Sequence, residues 1–307
     1  MNLNPLTKKI FLTCLGYKKG EHILIICDDE IEGLARDFYK AARSLNAKAI
    51  LMRMPIGHLH GEEPPKEISA ALKVTDIALL LTKMSLSHTR ARKEASAKYG
   101  VRIASLPGVT RAMLARSADI NYPGLKRKGA ELARRLTKGR TVEVRTDKGT
   151  RLSFSIQGRK GFSDDGVYTK RGAFGNLPAG EACIAPREGT ANGCLVVDAT
   201  APLVGRIRRP LKIDIKDGLI QNMPIAAIAK LIKPLGKCGR NIAEFGIGLN
   251  PKAKVTGNIL EDEKVINTAH LAIGANISYG GSISCPCHLD FVFFKPRIYI
   301  DGKILFL

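Results

Sequence analysis

The amino-acid sequence predicts an α/β protein of two domains: an N-terminal α/β domain with a mostly parallel sheet over residues 1–139, and a C-terminal α+β domain over 140–307. Three features predict it. Apolar runs of β type alternate with amphipathic helical stretches through the first half, the pattern of a parallel sheet covered on both faces. Past a charged helix at Lys126–Lys138 the texture changes to short alternating runs separated by turns, as in an antiparallel domain. At 307 residues the chain can also build two cores.

The elements follow in order. His22–Cys27 (HILIIC) is a continuous buried-strand candidate that ends in Asp28 and Asp29. Ile31, Leu34, Phe38, Ala41 and Leu45 then recur at helical spacing with charges between them. Lys48–Met54 is the next strand, a short helix lies around Lys66–Leu72, and Asp76–Leu81 is a strand again. Thr89–Tyr99 reads as helix and Val101–Leu106 as a further strand. No G-x-G-x-x-G follows the first strand, so nothing supports a dinucleotide site. In the second half Thr141–Arg145, Arg151–Ile156, Cys194–Asp198, Leu211–Ile215 and Leu219–Asn222 are short strand candidates. Asp217-Gly218 and Asp301-Gly302 are hairpin signals, because both residues of such a turn favour positive φ. A helix is expected within Ala226–Leu235.

Composition narrows the function classes. No stretch approaches the roughly 18 apolar residues of a membrane span, and the N-terminal apolar patch is broken by lysines, so a cytoplasmic protein is expected. The seven cysteines are scattered without C-x-x-C and read as free thiols. A net charge of +21 attracts polyanions at long range. The densest basic cluster is Lys126, Arg127, Lys128, Arg134, Arg135, Lys138 and Arg140, at helical spacing and unaccompanied by a nucleic-acid motif. It reads first as a solvated helix face. Nucleic acid is not the expected partner despite the charge.

The chemistry gathers in the second half, where acids and histidines sit among small and apolar residues. Glu181 lies in NLPAGEACIA, Glu244 in NIAEFGIGLNP, and His270 in NTAHLAIGAN. His288 and Asp290 open the apolar run HLDFVFF and, on a strand, project from one face. A buried aspartate needs a partner, and histidine with carboxylate is a ligand set for zinc, manganese, cobalt or iron. Glu181, Glu244, His270, His288 and Asp290 together exceed the three protein ligands of one catalytic zinc and suit a pair of metals about 3.5–4 Å apart. Cys285 and Cys287 flank Pro286 beside His288, where a nucleophilic role would compete with a metal role for that histidine. His58 and His60 have metal-like spacing but fall in the first domain.

The segments NLPAGEACIAPREGTANG and NIAEFGIGLNP, the run Glu261–Lys264 followed by TAHLAIG, and HLD resemble, in that order, the aminopeptidase T and S family of metallo-aminopeptidases. The resemblance implies a two-domain, dimeric, peptide-cleaving hydrolase with two divalent ions (zinc, cobalt or manganese) in its C-terminal domain. It implies Glu181, Glu244, His270, His288 and Asp290 as metal ligands, and one of the two glutamates as proton shuttle. An active-site tyrosine of the family falls near Asn276 or Ile277, and the nearest tyrosine here is Tyr279, slightly displaced. A related branch resembles 2,5-dihydroxypyridine ring-cleaving dioxygenases, which keep a histidine, histidine, aspartate set for one Fe(II). On that alternative His270, His288 and Asp290 carry the iron.

Overall fold

The His22–Asp28 strand, β1, is buried at six of its seven positions, which requires cover on both faces. Its neighbours in the computed structural model, which describes residues 3–306, are β2 (Lys48–Met54), β3 (Ile77–Leu81), β4 (Arg102–Ser105) and β5 (Phe174–Asn176). All pairings are parallel, in the order β2-β1-β3-β4-β5. The helices Lys66–Leu72 and Arg90–Ala97 lay Ile68, Leu72, Ala91 and Ala95 on Leu24, Ile26, Leu80 and Ile103. Helix Glu32–Ser44 buries Leu34, Ala35, Phe38, Ala41 and Ala42, the apolar stripe read from its spacing. This first compact unit comprises Met1–Pro123 and Asp164–Ala179.

The second unit comprises Gly124–Ser163 and Gly180–Leu307. Residues 139 and 140, where the sequence suggests a seam, both fall within the segment Gly124–Ser163, between helix Tyr122–Lys138 and strand Thr141–Arg145. This unit holds two seven-stranded sheets. One contains Thr141–Arg145, Arg151–Ser155, Asn192–Val197 and Leu211–Lys216, all antiparallel to their neighbours. Both D-G turns take the positive φ that their residues favour, 51° and 74° at Asp217 and Gly218, 49° and 76° at Asp301 and Gly302. The other sheet has β6 (Glu181–Ile184), β7 (Ile242–Gly248), β8 (Thr268–Gly274) and β9 (His288–Phe294) at its centre, in the order β9-β8-β7-β6.

Those four strands separate two faces. Phe245, Leu271, Ile273, Phe291 and Phe293 point to the apolar one and are at most 1% exposed. Phe245 packs there on Phe154 of the companion sheet, ring centroids 5.3 Å apart. Among the described residues no helix is long and apolar enough to cross a membrane.

Candidate metal centre

The other face is set by register. In an antiparallel pair, opposed residues share a face, and so do residues two apart. Glu181 opposes Gly248, Gly246 opposes His270, Ala272 opposes both Glu244 and Asp290, and Gly274 opposes His288. All five of the expected residues therefore rise from one face of four adjacent strands. Strict alternation would also put Ile242 on this face, beside Glu244. A β-bulge between Ile242 and Glu244 prevents that, so Ile242 opposes Ile273 on the apolar face while Glu244 keeps the polar one.

Glycine makes room for the imidazole. A Cβ at Gly246 would collide with Cε1 and Nε2 of the His270 ring, whose Nε2 faces the glutamates. His270 Nε2 stands 3.4 Å from Glu181 Oε2 and 3.6 Å from Glu244 Oε1. His288 approaches from the open end, with Nε2 3.0 Å from Glu244 Oε2 and 3.5 Å from Asp290 Oδ1. Its Nδ1 lies 2.9 Å from the Ala275 carbonyl, which can only accept, so Nδ1 carries a proton in either charge state and Nε2 faces the carboxylates. Glu244 thus lies between the two rings. The site grades from closed to open: the His270 side chain is 1% exposed, those of His288 and Asp290 14% and 15%.

Charge on this face is coupled. Burial alone would raise the Glu244 carboxyl, but hydrogen bonds to the two histidines hold it well below the usual range. Burial would lower both imidazoles, and the carboxylates outweigh it: Glu244, Glu181 and Asp290 push His270 up to about 9. Asp290 and Glu244 push His288 well above its ordinary value. Asp290 is pulled down by His288 against its own burial.

Two residues of the site were not among the expected ones. Lys264 is 1% exposed, and its ammonium stands 2.5 Å from Glu181 Oε1 and 2.8 Å from Glu263 Oε1. Burial nevertheless pushes the Glu263 carboxyl up to about 8. The run Glu261–Lys264 looks like a solvated charged turn, yet Glu261, Asp262 and Lys264 are all buried. Asp262 is spent on structure, accepting from Thr200 Oγ1 at 2.5 Å and from the amides of Thr256 and Gly257 at 2.7 Å. Tyr279 stacks on the His288 ring, centroids 5.3 Å apart and planes 24° from parallel. Burial, then the nearby Glu244 and Cys183, raise its phenol well above 10. His58 and His60 take no part: the His60 ring accepts the Ser85 amide, and both lie in the first unit.

The donor set fits a metal ion. Three groups of three donors, Glu181/Glu244/His270, Glu244/His288/Asp290 and Glu263/His270/Asp290, each lie within 4.8 Å of one another. Two buried donors, Glu181 Oε2 and His270 Nδ1, make no hydrogen bond among the described residues. Buried polar atoms are rarely left so unless something outside the chain completes them.

A family model described as 2,5-dihydroxypyridine 5,6-dioxygenase matches residues 3–306. The solved structure of 2,5-dihydroxypyridine dioxygenase from Pseudomonas putida KT2440 is similar at 20% identity and a TM-score of 0.84, over 99% of this chain and 95% of that one. Wild-type AmpT from Thermus thermophilus is similar at 14% identity and a TM-score of 0.72, over 99% of each chain. At such identities both likenesses show the fold. No curated protein matches the chain in sequence.

The expected α/β class with parallel and antiparallel sheets is what the structure has. The expected peptide hydrolase is overturned by the family match, which points to a dioxygenase. The physical reason is that the motifs behind that expectation mark a scaffold and its ligand residues, and a shared ligand set does not fix the reaction run on it. The chain belongs to the family described as 2,5-dihydroxypyridine 5,6-dioxygenase, NicX.

Proposed function

We infer that this protein is a ring-opening dioxygenase that holds one Fe(II) and acts on a dihydroxylated aromatic ring of the 2,5-dihydroxypyridine type. The observation that carries this reading is the family match across residues 3–306. On the face described above His270, His288 and Asp290 would form a two-histidine, one-carboxylate set, the donor types of non-haem iron oxygenases. Glu181 is charge-paired with Lys264. Glu244 lies between the two imidazoles, so an ion held by both rings requires that carboxylate to yield the space or to join the ligands.

Bound Fe(II) would supply the one-electron chemistry by which oxygen and an electron-rich ring react. The chain's own residues do the rest. The Ala275 carbonyl fixes the tautomer of His288, and Gly246 lets the His270 ring reach inward. Tyr279 keeps its proton at neutral pH and can donate a hydrogen bond to a ring oxygen at the open end. Glu263, pushed up to about 8, can hold one proton near Asp290 and return it.

The test is anaerobic loading with Fe(II), then oxygen uptake with 2,5-dihydroxypyridine and with dihydroxybenzenes, using isotopically labelled oxygen. Expected are about one iron per chain and both labelled atoms in a ring-opened product. Absence of turnover on every dihydroxylated ring by fully iron-loaded protein would sink the reading.

A further inference from the structure

Three of the cysteines meet beside the metal centre. Cys238 sits on the short helix Gly236–Arg240, while Cys285 and Cys287 flank Pro286 immediately before β9. Backbone hydrogen bonds lace these segments together across the end of β8. The Gly274 amide donates to the Asn241 carbonyl at 2.9 Å, and the Asn241 side-chain amide donates to the Gly274 carbonyl at 3.0 Å. The next amide, that of Ala275, donates to the Cys287 carbonyl at 2.9 Å. The side chains therefore face one another over a fixed frame.

On that frame Cys238 Sγ and Cys285 Sγ are 2.6 Å apart, and Cys285 Sγ and Cys287 Sγ 3.7 Å. Non-bonded heavy atoms settle at about 3.5–4.0 Å, where the second pair stands. The first pair is far inside that distance, toward the roughly 2.05 Å of a disulfide bond. A shared soft metal fits it less well, since two thiolates about 2.3 Å from one zinc stand well over 3 Å apart. All three cysteines are half-buried, open enough for a small oxidant.

We propose that Cys238 and Cys285 form a reversible disulfide when the protein meets a hydroperoxide, with Cys287 staying a thiol. One thiolate attacks the peroxide O–O bond, giving a sulfenic acid and releasing water or an alcohol; the second thiol displaces the sulfenic oxygen as water. Two S–H bonds break, one S–S bond forms, and the two electrons reduce the peroxide. The bond would pin the loop that leads into His288. The other end of that loop is already held, with the Ser282 amide donating to Glu188 at 2.9 Å and the Ile283 amide to Asn276 Oδ1 at 2.7 Å. The inference is independent of the ring-opening reading.

The test uses the full chain, reduced, freed of reductant and treated with a small excess of hydrogen peroxide. It is then denatured, alkylated and digested without reductant for mass spectrometry. Expected are a 238–285 cross-linked peptide, a monomer lighter by two hydrogens, and loss of two of the seven alkylatable thiols, all reversed by dithiothreitol. Cys287→Ser should keep the cross-link. A bond between Cys285 and Cys287, a bond between chains, or seven thiols still alkylatable would overturn the proposal. The unsubstituted chain alone decides this, so a variant that fails to fold leaves the test standing.

Discussion

In the first unit Arg102, 6% exposed, donates to the carbonyls of Leu15 and Gly16 at 2.8 and 2.9 Å and meets Glu21 at 2.6 Å. Asp28, fully buried, accepts the amides of Glu30 and Ile31 at 3.2 Å and that of Lys83. Arg92 lies over the Phe174 ring and donates to the Ser87 carbonyl at 2.6 Å, and burial pulls its guanidinium down to about 10. In the second unit the four carboxyl groups of Glu181, Glu244, Glu263 and Asp290 crowd two imidazoles and one ammonium. Glu181 Oε2 and His270 Nδ1 find no hydrogen bond among the described residues. The first arrangement closes on itself and serves structure. The second leaves two buried polar atoms open, and the difference separates a buried charge that holds a fold from one with capacity left for a ligand.

The largest effect that would sharpen this contrast is on turnover. His288→Ala and Asp290→Ala should each cut ring-opening activity by more than about 100-fold, the upper range for partners one step further from a metal. They should also lower bound iron. Arg102→Met should leave the rate per folded molecule nearly unchanged while destabilising the fold by about 2–4 kcal/mol, because two buried carbonyls lose their donor. Equal loss of iron in all three variants would erase the distinction.

Stability separates the units next. Lys264→Met removes the ammonium that stands between Glu181 and Glu263, and breaking a buried pair in this way costs about 3–5 kcal/mol. A divalent ion should recover part of that loss, since it restores positive charge beside the glutamate. It should recover none of the loss in Arg102→Met. Calorimetry of both variants with and without iron checks the pair, and recovery in neither would break the comparison.

A smaller effect lies in proton linkage. With His270 up to about 9 and His288 also raised, both rings carry protons at pH 7 in the metal-free protein. A metal needs them neutral, so uptake should release protons, and affinity should rise up to about tenfold per pH unit for each proton displaced. The metal-free fold responds oppositely. A histidine with a raised folded pKa stabilises fully below its unfolded value of 6.5, and that contribution is lost as pH rises through about 9. Titration calorimetry in buffers of different ionisation enthalpy counts the protons, and no release at pH 7 would contradict the charge state argued for the face.

Much of this was legible in the chain. Alternation in HLDFVFF placed His288 and Asp290 on one face, which the structure extends to His270 through the strand register, and the D-G pairs marked real hairpins. Other parts depend on contacts between residues distant in the chain. Nothing local shows that a bulge at Ala243 turns Ile242 to the apolar face, or that EDEK is buried rather than solvated. The sulfur of Cys238 meets that of Cys285 only because β8 joins the segments that lead into β7 and β9. Nor does alternation reveal the reaction, since the same ligand types serve hydrolysis and oxygenation.

The smallest effect tests how the open end of the site is held. Glu188 accepts from Asn276 Nδ2 at 2.8 Å, the Ser282 amide at 2.9 Å and Ser282 Oγ at 3.1 Å, and it pairs with Arg159. Burial opposes ionisation here, but these donors and the guanidinium win and hold the carboxyl at about 2. A depressed carboxylate contributes fully above its unfolded value of 4.5, and the contribution fades as pH falls through about 2. Glu188→Gln should cost about 1–3 kcal/mol at pH 7, the worth of hydrogen bonds to a charged group. The variant and the unsubstituted chain should converge in stability as pH drops below 4.5, read as converging denaturant midpoints. Because Ser282 and Asn276 hold the loop ahead of His288, the variant should raise KM more than it lowers kcat, leaving bound iron unchanged. A loss of iron instead would mean that the loop holds the metal ligand itself, and the boundary between structural and ligand-waiting charge would have to be drawn through Glu188.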